Sequence, residues 1–300
     1  MADSTIVLTG SHGLLASALM PRLAAAGHRT RRLMRERPVG PEQFRWDPVA
    51  GTIDARALEG ADAVVHLAGE PIPALRWSQA KKARIYGSRV KGTRLLCEAL
   101  AKLSVRPRVL LSASASGYYG DRKDEVLTEE SAAGDTFLAR VCRDWEAATE
   151  PARGAGIRVV HLRSGNVQTS RGGFLGPQLP LFRLGLGGRL GSGRQYLPWI
   201  SIDDWVAAVE HLLGAEGAAG PVNVVAPQGV TNREFTSTLA RVLRRPALFA
   251  APAMALRLVM GELGAELLRG QRMHPAVLLE SGFAFRYPEL EPALRHVLRK

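Results

Sequence analysis

The chain has 300 residues, 46% of them hydrophobic, and a formal net charge of +12, enough for one large domain or two small ones. No run of about 18 apolar residues occurs, so no membrane span is expected. The two cysteines, Cys97 and Cys142, offer no disulfide framework and suit a reducing cytoplasm. The positive charge is mostly arginine scattered among Ala and Gly, without a block of five like charges. It reads as a surface serving an anionic cofactor or substrate, and no nucleic-acid partner is expected.

The opening "MADSTIVLTG" lacks a basic region ahead of its apolar run, so it predicts a buried strand and not a signal peptide. The next stretch, "SHGLLASALMPRLAAAGH", predicts a turn and a helix ending at Gly27, with Leu15, Leu19 and Leu23 stepping by four. Gly10 and Gly13 take the first two positions of a G-x-x-G-x-x-G turn, and Ala16 takes the third. Glycines there let the backbone approach a pyrophosphate, which the unpaired N–H groups and positive end of the helix attract. Gly10, Ser11, His12, Gly13, Leu14 and Leu15 are therefore the expected dinucleotide-binding turn. His12 puts a titratable ring beside it; a surface histidine without a role is the equal alternative.

The second strand lies in "RTRRLMRE". A site for NAD normally ends this strand with an acid that holds the ribose 2′-hydroxyl. Here the strand ends near Arg35, with Glu36 just past it, and arginine suits a 2′-phosphate, so NADP is expected over NAD. "ADAVVHLAG" predicts a further strand, counted as the fourth, which carries Leu67, Ala68, Gly69 and Glu70 to the cofactor. Gly69 permits close backbone approach, and Glu70 either bonds cofactor or substrate or is a solvated carboxylate. Ser88 and Arg89 are expected to begin the next helix and face the same cleft. Leu96, Ala99, Leu100 and Leu103 continue that helix at i, i+3, i+4, i+7.

"RPRVLLSASAS", "GIRVVHLRSG" and "GPVNVVAP" predict more buried strands, and Phe137 to Ala148 and Trp205 to Leu213 predict helices. Apolar strands alternating with helices imply an α/β fold, a Rossmann doubly wound parallel sheet covered on both faces. Past Gly165 the chain turns rich in Gly and Pro, and so long a loop is usually functional. Residues 1–165 are expected to form the dinucleotide-binding domain, with 200–226 returning to it. Residues 166–199 and 227–300 would form a smaller C-terminal substrate domain. Thr231 and Glu234 predict a capping box, and one or two helices are expected beyond Pro252.

Around the expected cleft, Ser114 lies at a strand end, and Tyr118 or Tyr119 offers a phenol from the following loop; packing under the sheet edge is the alternative for both tyrosines. Arg163, Arg183, Arg194 and Gln195 are candidates to grip an anionic substrate. Asp203 reads better as an N-cap than as an acid, and Cys142 better as a small buried hydrophobe than as a thiol nucleophile. No metal site is argued, because no H-E-x-x-H and no clustered Cys/His pair occurs.

With these residues in hand, the chain resembles the extended and atypical short-chain dehydrogenase/reductases. Within them it is similar to the NAD-dependent epimerase/dehydratase subfamily of YfcH-like, nucleoside-diphosphate-sugar epimerase-like proteins. The resemblance rests on "LAGEPI", "GSRVKGTRLL", "SASASGYYG", "FLARVCRDWEAA", "LRSGNV", "PLFRLGLGGRLGSGRQYLPWISIDD" and "GQRMHPAVLLESGFAFRYPELEPAL", in this order and over nearly the whole chain. It implies a Rossmann core with a short C-terminal domain and NADP as cofactor. In short-chain dehydrogenases a Tyr-x-x-x-Lys pair on a helix does the acid–base work. On the corresponding helix of this chain Leu138 takes the tyrosine place and Cys142 the lysine place.

The reading is an NADP-binding epimerase or oxidoreductase-like protein with a rearranged catalytic set, acting on a small carbonyl or nucleotide-sugar-like molecule, an anionic one being a candidate. The alternative is a cofactor-binding sensor without turnover. No membrane partner is expected, and the chain is taken as a cytoplasmic monomer or homodimer.

Overall fold

The computed structural model describes residues 4–73 and 76–299; residues 1–3 of the N-terminal stretch lie outside it. Eight strands form the main sheet: β1 (Thr5–Thr9), β2 (Arg29–Met34), β3 (Gln43–Asp47), β4 (Thr52–Ile53), β5 (Ala63–His66), β6 (Val109–Ala115), β7 (Arg158–Ser164) and β8 (Gly220–Val224). Their spatial order is β8-β7-β6-β5-β1-β2-β3-β4. All neighbours run parallel except the β3–β4 edge pair. The chain leaves β1 toward β2 on one side and returns to β5 on the other. The crevice beyond the carboxyl ends of β1 and β5 is therefore the switch point at which doubly wound sheets bind ligands.

The edge hairpin was not foreseen. "QFRWDPVAGTI" alternates weakly and is broken by Pro and Gly, so its β3 and β4 carried little period-two signal. It makes "AVVH" the fifth strand in the chain, not the fourth.

Helices cover both faces. Helix α1 (Leu14–Ala25) buries Leu19 and Leu23 as its four-residue step requires. They pack with Trp205, Val209 and Leu212 of the helix Ile202–Gly214, and with Leu8, Val65 and Leu111 of the sheet. On the opposite face, helix α2 (Gln79–Ala101) sets Leu96 and Leu100 against Val7, Val64 and Leu110. Because α2 starts nine residues before Ser88, Ser88 and Arg89 lie inside the helix and do not begin it. Helix α3 (Phe137–Ala147) follows β6, N-capped by Thr136.

A second core joins Leu175, Phe182, Trp199, Phe235, Leu239 and Leu294. Its helix Asn232–Leu243 opens with the capping box of Thr231 and Glu234. Segment 200–226 contributes β8 and the helix Ile202–Gly214 to the main sheet's layers. Leu278 and Phe283, beyond the expected division at 227, also pack into the first core. Four helices follow Pro252, at Ala253–Met260, Glu262–Glu266, Ala276–Glu280 and Leu290–Val297, rather than one or two. Two of them are five residues long, too short for a repeating apolar stripe to announce. Among the described residues no helix is long and apolar enough to cross a membrane.

Candidate cofactor and substrate cleft

The turn after β1 shows why its two glycines are different. Gly10 has φ +69°, and a Cβ there would stand 2.9 Å from the Ala68 amide nitrogen and the Leu67 carbonyl carbon. The β1 turn is thus pressed against the end of β5, and only glycine fits. Gly13 has φ −74°, open to any residue, and its amide donates to the Gly10 carbonyl at 2.8 Å. Gly13 is exposed at the N-terminus of α1, whose first turn holds no acid. A side chain at Gly13 would fill the space through which an anion reaches the free N–H groups of the helix. His12 is also exposed, with Nδ1 3.9 Å from a Glu36 carboxylate oxygen. Ser11 is buried, and Leu14 and Leu15 are half-buried.

A buried polar chain locks the turn to β5. Thr9 Oγ1 accepts from the amides of Leu67 and Ala68, each at 3.1 Å. Both lone pairs are then used, so the Thr9 hydroxyl proton goes to His66 Nδ1, 2.7 Å away. His66 carries its proton on Nε2 and donates to Thr93 Oγ1 at 2.9 Å. Thr93 Oγ1 also accepts from the Trp145 indole at 2.8 Å. Burial pushes the His66 imidazole down to about 4, so the ring is neutral at physiological pH.

Arg35 stands exposed just past β2 and has no carboxylate within 4 Å among the described residues. Arg31, by contrast, is tied to the Glu59 and Ala57 carbonyls. No acid ends β2, and Glu36 turns to His12. Of the residues expected past β5, Gly69 lies against Arg89: an added Cβ would be 3.2 Å from the guanidinium carbon. Arg89 donates to the Glu70 carbonyl at 3.0 Å and lies over the Trp145 ring. The Glu70 amide donates to Ser88 Oγ. The Glu70 carboxylate is held by Lys81 at 2.8 Å and Arg84 at 3.4 Å, which keeps it below the usual carboxylate range. That carboxylate is an anchor for α2 rather than a free ligand.

Beyond Arg89 opens a cleft of about 230 Å³. Ala115, Ser116 and Gly117 form its floor, Leu138, Cys142 and Trp145 one wall, and Asn166, Gln195, Tyr196, Asn232, Glu266 and Arg269 much of the other. Helix α3 contains neither Tyr nor Lys, and Leu138 and Cys142 face the cleft. Burial pushes the Cys142 thiol up to about 12, so it stays protonated near neutral pH.

Ser114, Tyr118 and Tyr119 do come together, but not in this cleft. Ser114 Oγ donates to Glu146 at 2.6 Å. Glu146 grips Arg163 through two bonds of 2.9 and 2.8 Å. Arg163 is 3% exposed and lies 3.4 Å from the Tyr118 ring centre. Fully buried Tyr119 donates to Asn223 at 2.7 Å and accepts from Arg163 at 3.0 Å, and burial pushes its phenol up to about 12. These residues make a hydrogen-bonded network under the sheet end, outside the lining of this cleft. The reason is direction: Ser114 precedes the last strand residue and points to α3, whereas Ser116 lies past the strand and faces the cleft. Ser116 and Tyr196 make no hydrogen bond through their hydroxyls among the described residues. Neither was singled out in the sequence; the signal that separates Ser116 from Ser114 is the end of β6 at Ala115.

Of the expected arginines, Arg163 belongs to the network, and Arg183 and Arg194 are exposed outside the cleft wall. Gln195 lines the cleft. Ser201, not Asp203, caps its helix by accepting from the Asp204 amide. Asp203 instead lies 3.1 Å from His296. Among the described residues no cluster of His, Cys, Asp or Glu could hold a metal.

Residues 6–226 match the NAD dependent epimerase/dehydratase family, and residues 251–297 match a domain of unknown function, DUF1731. The chain is 44% identical over 295 residues to an epimerase family protein of Mycobacterium bovis, covering 98% of this chain and 97% of the relative. It is 36% identical over 297 residues to the human epimerase family protein SDR39U1, covering 98% and 99%. A crystal structure of human SDR39U1, isoform 2, with NADPH aligns at a TM-score of 0.90 with 34% identity, covering 98% of both chains. The chain therefore belongs to the NAD-dependent epimerase/dehydratase family.

Proposed function

We propose that the chain is an NADPH-binding oxidoreductase of this family that reduces a small carbonyl substrate. The observation that carries the reading is the glycine turn at the sheet's switch point, with Arg35 in place of an acid at the end of β2. A 2′-phosphate would add a charge-assisted contact to Arg35 that a 2′-hydroxyl lacks. The human relative's structure with NADPH supports the same choice. In this reading Gly10 to Leu15 hold the pyrophosphate, Arg35 the 2′-phosphate, and Leu67, Ala68, Gly69 and Arg89 line the cofactor beside the end of β5.

The bound cofactor supplies hydride chemistry; the chain binds it, orients a carbonyl in the cleft and gives a proton to the carbonyl oxygen. Ser116 and Tyr196 are the unbonded hydroxyls able to do so. With no lysine on α3 they serve better as acids than as bases, which favours reduction over alcohol oxidation near pH 7. Asn166, Gln195 and Asn232 would orient an oxygen-rich substrate beside the Arg269–Glu266 ion pair. Residues 166–199 and 227–300 provide much of that wall, in keeping with a substrate domain. The free, buried cysteines fit a reducing compartment such as the cytoplasm.

A panel of carbonyl compounds, including nucleotide sugars, with NADPH tests the reading: turnover that falls in Ser116→Ala or Tyr196→Phe supports it. A cofactor-binding sensor is the second reading, favoured by Leu138 and Cys142 in the cleft wall. It wins if NADPH binds tightly and no compound is turned over.

A further inference from the structure

The C-terminal part carries an apolar surface that is largely exposed among the described residues, touched at one end by Arg76, which donates to the Leu258 and Val259 carbonyls. Helix Ala253–Met260 has no buried residue. Met254 is 80% and Leu258 72% exposed, and beside them Leu248 is 87% and Phe249 58% exposed. The strand Phe249–Ala251 pairs with Gly188–Leu190, and Gly185 packs toward Pro246. Exposed Leu184 and Leu186 lie just ahead of the paired strand Gly188–Leu190 in the chain. Soluble monomers seldom expose so many neighbouring large aliphatic groups without a partner.

The charge around this face indicates the partner. Segments 179–191 and 244–261 contain no Asp or Glu. Arg183, Arg244, Arg245 and Arg257 are all exposed, and among the described residues none lies within ion-pair distance of an acid. A second copy seated on the same face would bring these like charges together in a two-fold interface. A nucleic acid would want aromatic faces for bases; here the exposed groups are almost all aliphatic. Aliphatic side chains ringed by unpaired arginines match a bilayer surface, with acyl chains for the former and anionic headgroups for the latter.

We propose that this face, built on helix Ala253–Met260 and strand Phe249–Ala251, docks the protein on an anionic lipid surface. The docking is peripheral and adds to the absence of a membrane span, which the sequence had suggested meant no membrane contact at all. Helix Ala253–Met260 runs directly into the helix Glu262–Glu266, whose Leu263 and Glu266 line the cleft. The docked face is therefore continuous with the substrate side of the molecule.

The test is sedimentation of the full chain with vesicles of phosphatidylcholine, alone or with about one third phosphatidylglycerol, at about 0.1 M salt. Binding is expected on the anionic vesicles and at least about tenfold less on the neutral ones. Arg244→Gln with Arg245→Gln should lower it by about tenfold or more, each headgroup contact being worth roughly fivefold. Phe249→Ser with Leu258→Ser should lower it similarly while NADPH titration and the melting temperature stay unchanged. Equal or absent sedimentation with both vesicle types overturns the proposal. So does an unchanged Phe249→Ser/Leu258→Ser variant, which would reduce the effect to diffuse positive charge. A dimer in light scattering that Leu258→Ser dissociates would also overturn it and assign the face to a second copy.

Discussion

Gly10 and Gly13 sit three residues apart in one turn, yet the structure assigns them opposite sensitivities. In Gly10→Ala the new Cβ would meet backbone, 2.9 Å from the Ala68 nitrogen and the Leu67 carbon, and backbone cannot swing aside as a side chain can. The left-handed conformation at φ +69° costs an L-residue about 1–2 kcal/mol, and displacing the end of β5 adds about 1–3 kcal/mol, the usual scale of overpacking. At roughly 2 °C per kcal/mol for a chain of this size, the melting temperature should fall by about 4–10 °C. In Gly13→Ala, φ −74° and ψ 158° are comfortable, and the nearest atom is the Gly10 carbonyl oxygen at 3.0 Å. Stability should change by less than about 1 kcal/mol. The added methyl nevertheless occupies the approach to the α1 amides, so NADPH affinity should fall about a hundredfold, near 2.7 kcal/mol. Thermal unfolding and cofactor fluorescence titration on the two variants separate the effects. Gly13→Ala binding NADPH as the unmutated chain does would refute the phosphate-turn reasoning, and Gly10→Ala melting unchanged would refute the steric one.

NADPH should bind more tightly than NADH, and Arg35→Ala should narrow the gap by about 1–3 kcal/mol, the scale of a charge-assisted bond; identical titrations of the two cofactors with the unmutated chain would count against it. Tyr119→Phe should cost about 1–3 kcal/mol of stability, because Asn223 and Arg163 lose a buried partner, but leave turnover per folded molecule intact. Loss of turnover at full stability would return Tyr119 to the reacting centre. His66, held near 4 when folded and near 6.5 when unfolded, makes the unfolded chain bind the extra proton between those values. Its contribution is therefore complete above about pH 6.5 and decays to about pH 4, for a total of about 2–4 kcal/mol. Urea titrations of His66→Gln should show a flatter acid limb over that window, and an unchanged slope would assign the acid sensitivity to other groups.

Local pattern alone determined much of this protein. The apolar strands, the four-residue step of Leu15, Leu19 and Leu23, and the glycine spacing after β1 are properties of neighbouring residues, and they suffice for a parallel α/β sheet with a nucleotide turn at its first crossover. Arg35 was legible for the same reason: its place depends only on where β2 ends. The capping box at Thr231 is likewise written within four residues. Tertiary structure decided what depends on direction and distance. That Ser114 turns away from the cleft depends on Glu146, 32 residues further along the chain, and that Ser116 faces it depends on β6 ending at Ala115. The role of Tyr119 was set by Asn223, more than a hundred residues away. The edge strands took shape from the pairing of β3 with β2 and of β4 with β3, which no short window records. Tyr196 and Asn232 reach the cleft only because loops from the second core fold across the sheet's end. A chain can encode its periodicities locally, but which side chains meet is fixed by packing between segments far apart in sequence.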